Sequence, residues 1–125
     1  MIETIRKIFV DETTEQLHSI SEVLDNGSRF PLTPEMMEKI FLAMHTIKGS
    51  GPMFGFPNLP KVSMPVEKTF AKIKTGQVNF SYEIGMKTND AIKVMLEALE
   101  RNSDDHLPSD IEKTDILNFF KEICP

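Results

Sequence analysis

The sequence has little of what marks a disulfide scaffold, a membrane protein or a nucleic-acid-binding protein. It contains a single cysteine, Cys124, so no internal disulfide can form and redox chemistry is not indicated. No apolar run approaches the roughly 20 residues that cross a bilayer, and the amino-terminus lacks the apolar core of a signal peptide. The 14 basic and 19 acidic residues give a net charge of −5, with no positive stripe for a phosphate backbone. These absences predict a cytoplasmic protein that binds neither membrane nor nucleic acid.

Composition and apolar spacing together predict one all-α domain over residues 1–125. Hydrophobic residues make up 40% of the chain and charged residues 26%, which is typical of a globular protein that folds on its own. Apolar residues recur at helical spacings between short breaker clusters, and no segment alternates as a strand would. Because the links between helices are short, we expect an antiparallel four-helix bundle with an additional C-terminal fifth helix.

The first two helices are bounded by start and stop signals. The second is capped by Thr33, and Pro34 fits its first turn, so it should begin near Pro34 and run toward Gly55. The first should cover about residues 2–24 and stop at Asn26-Gly27. Its core face should be made of Ile5, Phe9, Leu17, Ile20 and Leu24.

The third helix is predicted between Asn58, which can cap it, and Gly76, which can stop it. Pro65 would lie inside this helix, where proline cannot donate a backbone hydrogen bond. A kink or a late start is therefore expected at Pro65.

The last two helices are also marked by capping residues. Ser81 can cap the fourth, which should end near Arg101. Ser109 and Glu112 have the spacing of a capping box at the start of the fifth.

The second helix has two apolar faces, and only one is needed for a core. At about 100° per residue, one narrow stripe should pack against the bundle; its residues are Met36, Ile40, Ala43, Ile47, Ser50 and Phe54. The opposite side should face outward, and it mixes apolar residues with a histidine, a lysine and a helix-weakening glycine; its residues are Phe41, Leu42, His45, Lys48, Gly49 and Pro52. This composition favours a docking surface.

His45 and Lys48 could together hold phosphate. A neutral imidazole, whose unperturbed pKa is about 6.5, offers a nucleophilic nitrogen at cellular pH. Lys48 lies three residues on, at a separation where helix neighbours can share a ligand, and Gly49 would allow close approach. From spacing alone, His45 could equally be an ordinary helix histidine.

The stretch from Ala43 to Phe56 closely resembles the phosphorylation-site motif of histidine phosphotransfer (HPt) domains. It contains H-x-x-K-G from His45 to Gly49, followed after five residues by a second glycine, Gly55. It is most similar to the amino-terminal phosphotransfer domain of chemotaxis-type histidine kinases, whose site helix reads much like AHSIKG. The similarity covers most of the chain to about Arg101 and includes Glu67 in the third helix.

This resemblance implies a site and a set of partners. The phosphoryl group would be carried on Nε2 of His45, with Glu67 accepting a hydrogen bond from Nδ1. Lys48 would stabilise the phosphate, and Gly49 would leave the approach open. The donor would be the catalytic domain of a histidine kinase, and the acceptor an aspartate of a response-regulator receiver domain. The chain would then be a phosphorelay intermediate and not an enzyme, because it would have no ATP site of its own. It would need no cofactor, whereas Mg²⁺ is expected on the receiver.

The sequence also departs from the family pattern. Pro52 should remove the hydrogen bond to the carbonyl of Lys48, and Pro65 lies two residues before Glu67, where a break would displace the carboxylate. Chemotaxis kinases continue into dimerisation and ATP-binding domains, so the chain would be either a free-standing phosphotransfer protein or an excised domain. A monomer is expected.

Two other interpretations remain open. The exposed apolar face of the second helix could bind a partner without chemistry, as a helical interaction module. A metal-binding bundle has weaker support, because the di-metal pattern needs two Glu-x-x-His pairs and only the segment from Glu15 to His18 supplies one.

Overall fold

The computed structural model describes residues 2–26, 32–107 and 111–124, with only the backbone of residues 111–114. Within these residues the regular structure is helical, and no strand is present. Five α-helices follow in order: α1 (Ile2–Asp25), α2 (Pro34–Ser50), α3 (Leu59–Lys74), α4 (Tyr82–Glu100) and α5 (Ile111–Ile123). A short 3₁₀ turn, Pro52–Phe54, lies between α2 and α3.

The helices form an antiparallel four-helix bundle with the fifth packed on its side. Helices α1 and α3 each contact both α2 and α4, while α5 lies against α3 and α4. Large apolar side chains from all five helices are fully buried, among them Leu17, Ile20, Ile40, Met44, Ile47, Phe70, Ile92, Met95, Leu99 and Phe120. The predicted fold class is confirmed.

Two of the predicted caps begin their helices. The Thr33 hydroxyl accepts a hydrogen bond from the backbone N–H of Met36 at 3.1 Å, and the Ser81 hydroxyl accepts one from Ile84 at 3.1 Å. Each satisfies an N–H that has no partner in the first turn of a helix. The predicted caps at Ser109 and Glu112, and the stop at Gly27, lie outside the described residues or side chains.

The core face of α1 starts later than predicted. Phe9, Leu17 and Ile20 are buried, but Ile5 is 45% exposed. The side chain facing the bundle one turn before Phe9 is Arg6, whose Nε donates to the Phe54 carbonyl at 2.7 Å. Arg6 also bonds Asn102 at the end of α4 and lies over the Phe56 ring. Ile5 is therefore turned away from the core.

Helix α2 is shorter than predicted. It ends at Ser50 rather than near Gly55, because Pro52 has no N–H to donate to the Lys48 carbonyl. The chain then tightens into the 3₁₀ turn, which ends at Gly55 with a φ of 90°, a conformation that favours glycine.

Helix α3 differs from the prediction in two ways. It is continuous through Pro65, so the expected late start is wrong. The Asn58 side chain does not cap it, because the Asn58 backbone is already helical and the cap comes from another part of the chain. The carboxylate of Asp104, which is 1% exposed, accepts from the backbone N–H of Asn58 at 2.6 Å and of Leu59 at 2.7 Å. The predicted stop is present, since Gly76 follows the helix with a φ of 78°.

Candidate functional site

His45 projects from the outward face of α2. Its side chain is 58% exposed, whereas Ile40, Ala43 and Ile47 on the other face are buried as predicted. Met44 is also fully buried, although it was assigned to neither face. Its spacing of four residues from Ile40 and three from Ile47 is the signal that could have found it.

The rest of the predicted outward face divides into exposed and half-buried residues. Leu42, Gly49 and Pro52 are exposed, while Phe41 and Lys48 are half-buried. On the predicted core stripe, three residues are half-buried rather than buried, namely Met36, Ser50 and Phe54. The prediction of a core face and an outward face therefore agrees with the structure, but several residues of both faces are half-buried.

Glu67 reaches His45. It lies on α3 between buried Val66 and the exposed Lys68, and its own side chain is 11% exposed. Its Oε2 atom is 2.7 Å from Nδ1 of His45. Pro65 does not displace this carboxylate, because α3 continues through the proline and packs along α2.

The contact with Glu67 assigns the proton on the His45 ring. A carboxylate can only accept, so Nδ1 must be the nitrogen that donates. In a neutral imidazole the other nitrogen then has a free lone pair. Nε2 makes no hydrogen bond to any residue that the structure describes, and it lies on an exposed ring. The arrangement thus presents a nucleophilic nitrogen to solvent.

Lys48 shares the same carboxylate. Its Nζ is 3.1 Å from Oε1 and 3.2 Å from Oε2 of Glu67. Glu67 therefore accepts from both His45 and Lys48, and the ammonium offsets the charge of a carboxylate that is nearly out of contact with water. Three residues predicted for the site are brought together by the packing of α2 on α3.

An aromatic contact at the site was not predicted. The Phe41 ring lies 6.2 Å from the His45 ring, centroid to centroid, with an interplanar angle of 20°. Lys74 at the end of α3 places its Nζ 4.4 Å from the Phe41 centroid. The four-residue spacing of Phe41 and His45 could have indicated the ring contact, whereas the position of Lys74 depends on how α3 packs.

Gly49 leaves the surface beside the site open. A Cβ built at this position would meet no heavy atom within 4 Å. The packing of the fold therefore does not require glycine at position 49. Because Gly49 has no side chain, the backbone of α2 is exposed next to Lys48.

The described residues hold neither a metal site nor a membrane-spanning helix. Among the described residues, no three histidine, cysteine, aspartate or glutamate side chains are grouped as a metal site requires. None of the helices in the described part of the chain is long and apolar enough to cross a membrane.

Comparison with known proteins identifies the family. Residues 4–102 match the model of the Hpt domain. The chain is also 27% identical over 93 residues to the chemotaxis protein CheA of Bacillus subtilis (strain 168), a match that covers 74% of this chain and 13% of that protein. The chain thus spans a small part of the length of this curated relative, and no solved structure matches it. Since the family model covers α2, α3, α4 and nearly all of α1, the chain belongs to the Hpt domain family.

Proposed function

We propose that this chain is a histidine-containing phosphotransfer protein of a two-component phosphorelay, and that Nε2 of His45 carries the phosphoryl group. The observation that carries the proposal is the 2.7 Å contact between Nδ1 of His45 and the buried Glu67 carboxylate, with the rest of the ring exposed. This contact fixes the tautomer and the orientation that a nucleophilic Nε2 needs.

Phosphorylation of His45 would proceed by direct displacement. The Nε2 lone pair attacks the γ-phosphorus of ATP held by a histidine kinase catalytic domain, the bond from phosphorus to the bridging oxygen breaks, and ADP leaves with that electron pair. Nδ1 keeps its hydrogen, so the ring gains positive charge. The Glu67 carboxylate, already hydrogen-bonded to Nδ1, stabilises that charge.

Transfer to the receiver reverses these bond changes. An aspartate oxygen of the receiver attacks phosphorus, the bond from Nε2 to phosphorus breaks, and its electron pair returns to the ring. Lys48, one turn from His45, can move from Glu67 to the phosphoryl oxygens and neutralise part of their charge. Gly49 keeps the approach to the phosphate clear.

The partners complete the chemistry. The chain itself contributes no ATP site and takes no cofactor, and Mg²⁺ is held by the receiver, where it stabilises the transferring phosphoryl group. The proposal includes a monomeric chain that meets both partners in the cytoplasm. The family match supports a kinase and a receiver as partners in general terms.

The experiment that tests the proposal is labelling of His45. The chain is incubated with phosphoramidate, a small donor whose phosphorus–nitrogen bond breaks when imidazole attacks, and separately with histidine kinase catalytic domains and ATP. Acid-labile, base-stable phosphate should appear on the wild type and on His18→Gln, a control at another exposed histidine. His45→Gln should take up none. Equal labelling of wild type and His45→Gln would show that His45 does not carry the phosphate.

The same experiment addresses the second candidate, a helical module that binds partners without chemistry. Its support is the exposure of large apolar side chains on α2, on the 3₁₀ turn and on α3, namely Leu42, Met53 and Met64, at 49%, 74% and 51%. Under this alternative, a receiver would bind the wild type but no histidine would be labelled.

A further inference from the structure

A groove opens on the surface beside the site. It has a volume of about 590 Å³ and lies between α2, α3 and α5. Lys48 and Glu67 line it, together with Phe41, whose ring lies against His45. A protein that reaches Nε2 of His45 from this side therefore covers the groove as well.

The walls of the groove are mostly apolar. Phe120 is 1% exposed and Cys124 is 5% exposed, and both line it from the C-terminal end of the chain. Met64 and Pro65 line it from α3, and Met64 is 51% exposed. Methionine is a flexible apolar side chain that adapts to a partner's shape. The groove can therefore bury apolar surface of a bound protein next to the reacting atoms.

One wall of the groove lies outside the part of the chain shared with the family. The Hpt domain match ends at residue 102, whereas α5 spans Ile111–Ile123. Phe120 and Lys121 of α5, with Cys124 just beyond it, nevertheless line the same groove as the site residues. The shared residues thus build the site and two walls of the groove, and α5 with Cys124 adds the third wall.

The charge around the groove is opposite to that of the whole chain. Lys48 and Lys121 line it with one carboxylate, that of Glu67, which is paired with Lys48, so Lys121 adds a positive charge at the rim. The chain as a whole carries a net charge of −5. A receiver needs an acceptor aspartate and further carboxylates to hold Mg²⁺, which prefers oxygen ligands, so the surface around its acceptor is acidic. Such a surface complements the lysines.

We propose that this groove is the docking site for the acidic face of the receiver domain, with Lys121 on its charged rim and Met64 in its apolar contact. The inference rests on the proposed function, since that function names the receiver. It adds that α5 takes part in choosing among receivers, because the lysine and the apolar residues it contributes lie outside the family match.

The test measures binding and chemistry separately. The probe is the purified, Mg²⁺-loaded receiver domain that takes phosphate fastest from phosphorylated wild-type chain, chosen from the receivers of the same genome. Its dissociation constant is measured for the unphosphorylated full chain and for Lys121→Glu and Met64→Gln. The matched controls are on α4, outside the groove: Lys93→Glu, at a lysine 58% exposed, and Met86→Gln, at a methionine 49% exposed.

Each groove variant should raise the dissociation constant about five- to ten-fold, and Lys121→Glu should also weaken its dependence on salt, as expected when a rim charge is reversed. The α4 controls should stay within about two-fold, which is usual for surface changes away from an interface. All four variants should label with phosphoramidate at the wild-type rate, because that donor needs no docking surface.

The outcomes separate the two proposals. Unchanged receiver affinity in Lys121→Glu and Met64→Gln, with normal labelling of His45, would overturn the docking site and leave the proposed function standing. The docking site is also wrong if these variants weaken binding of the kinase catalytic domain instead, or if they dissociate a dimer of this chain in sedimentation experiments. Absence of labelling on wild-type His45 would overturn the proposed function itself.

Discussion

Replacing Glu67 tests how much the chain contributes to the reactivity of His45. In the structure the carboxylate fixes Nδ1 as the donor, and under the proposed function it would stabilise the positive charge that the ring gains when it is phosphorylated. Glu67→Gln keeps a carbonyl oxygen that can accept from Nδ1 but removes the charge. Glu67→Ala removes both. The two variants therefore separate orientation of the ring from stabilisation of its charge.

The size of each effect follows from the strength of the hydrogen bond. A hydrogen bond to a charged group contributes about 1.5 to 3 kcal/mol and a neutral one about 0.5 to 1.5 kcal/mol. Since about 1.4 kcal/mol corresponds to tenfold in rate, Glu67→Gln should slow labelling about five-fold and Glu67→Ala about 10- to 100-fold. The slowing of labelling in Glu67→Ala should be closer to 10-fold than to 100-fold, because removing the carboxylate releases Lys48, which can then approach the phosphoryl group earlier.

The assay is the rate of phosphoramidate labelling followed by ³¹P NMR, with ¹⁵N NMR of the imidazole to locate its proton. The proton should stay on Nδ1 in Glu67→Gln and be shared between both nitrogens in Glu67→Ala. Glu83→Ala, at an exposed glutamate in the first turn of α4, is the control and should label at the wild-type rate. Circular dichroism checks that the bundle persists in each variant. Labelling of folded Glu67→Ala at the wild-type rate would mean that the carboxylate does not assist the reaction of His45.

Four further predictions concern Lys48, Gly49 and Asp104. Lys48→Ala should slow transfer to the receiver about tenfold while helicity measured by circular dichroism is kept, because its face is not the core face. Gly49→Ala should raise the free energy of unfolding by up to about 1 kcal/mol, since a methyl group there meets no atom within 4 Å and alanine favours helix. Gly49→Leu should slow transfer to the receiver but not labelling by phosphoramidate; equal slowing of both would mean that the change perturbs His45 itself. Asp104→Ala should lower the free energy of unfolding by about 2 to 4 kcal/mol in urea denaturation, because the buried N–H of Leu59 and the partly buried N–H of Asn58 lose a charged acceptor. The neighbouring exposed Asp105→Ala should change it by less than about 0.5 kcal/mol, and equal losses would argue against the cap.

Local signals in the sequence predicted the parts of the fold that depend on neighbouring residues. Thr33 and Ser81 cap helices because each needs only the N–H three residues ahead. The outward position of His45 and the burial of Ile47 follow from helical phase within α2. Those features need no knowledge of how the helices meet.

Several of the misses depend on contacts between distant parts of the chain. Asp104 caps α3 from a position 46 residues beyond Asn58, so a local search for a capping residue finds Asn58 instead. Ile5 is exposed because Arg6 is held by the Phe54 carbonyl and by Asn102, which lie 48 and 96 residues further along the chain. Pro65 interrupts one hydrogen bond of α3, but packing of the helix on both sides keeps it continuous. That Glu67 reaches His45 could be expected from the family resemblance and not from spacing.

Under the two proposals, the residues that prepare His45 and the residues that α5 offers to a receiver lie in different parts of the chain. The hydrogen bonds and the ion pair that hold the His45 ring and the Glu67 carboxylate join α2 to α3, within the family match. Among the described residues, Lys121 of α5 takes part in none of these hydrogen bonds and ion pairs. If the groove docks the receiver as proposed, a change in α5 should alter the affinity for one receiver relative to another while the reactivity of His45 stays the same. Transfer at saturating receiver should then be as fast in Lys121→Glu as in the wild type, with only the receiver concentration needed for half the maximal rate increased.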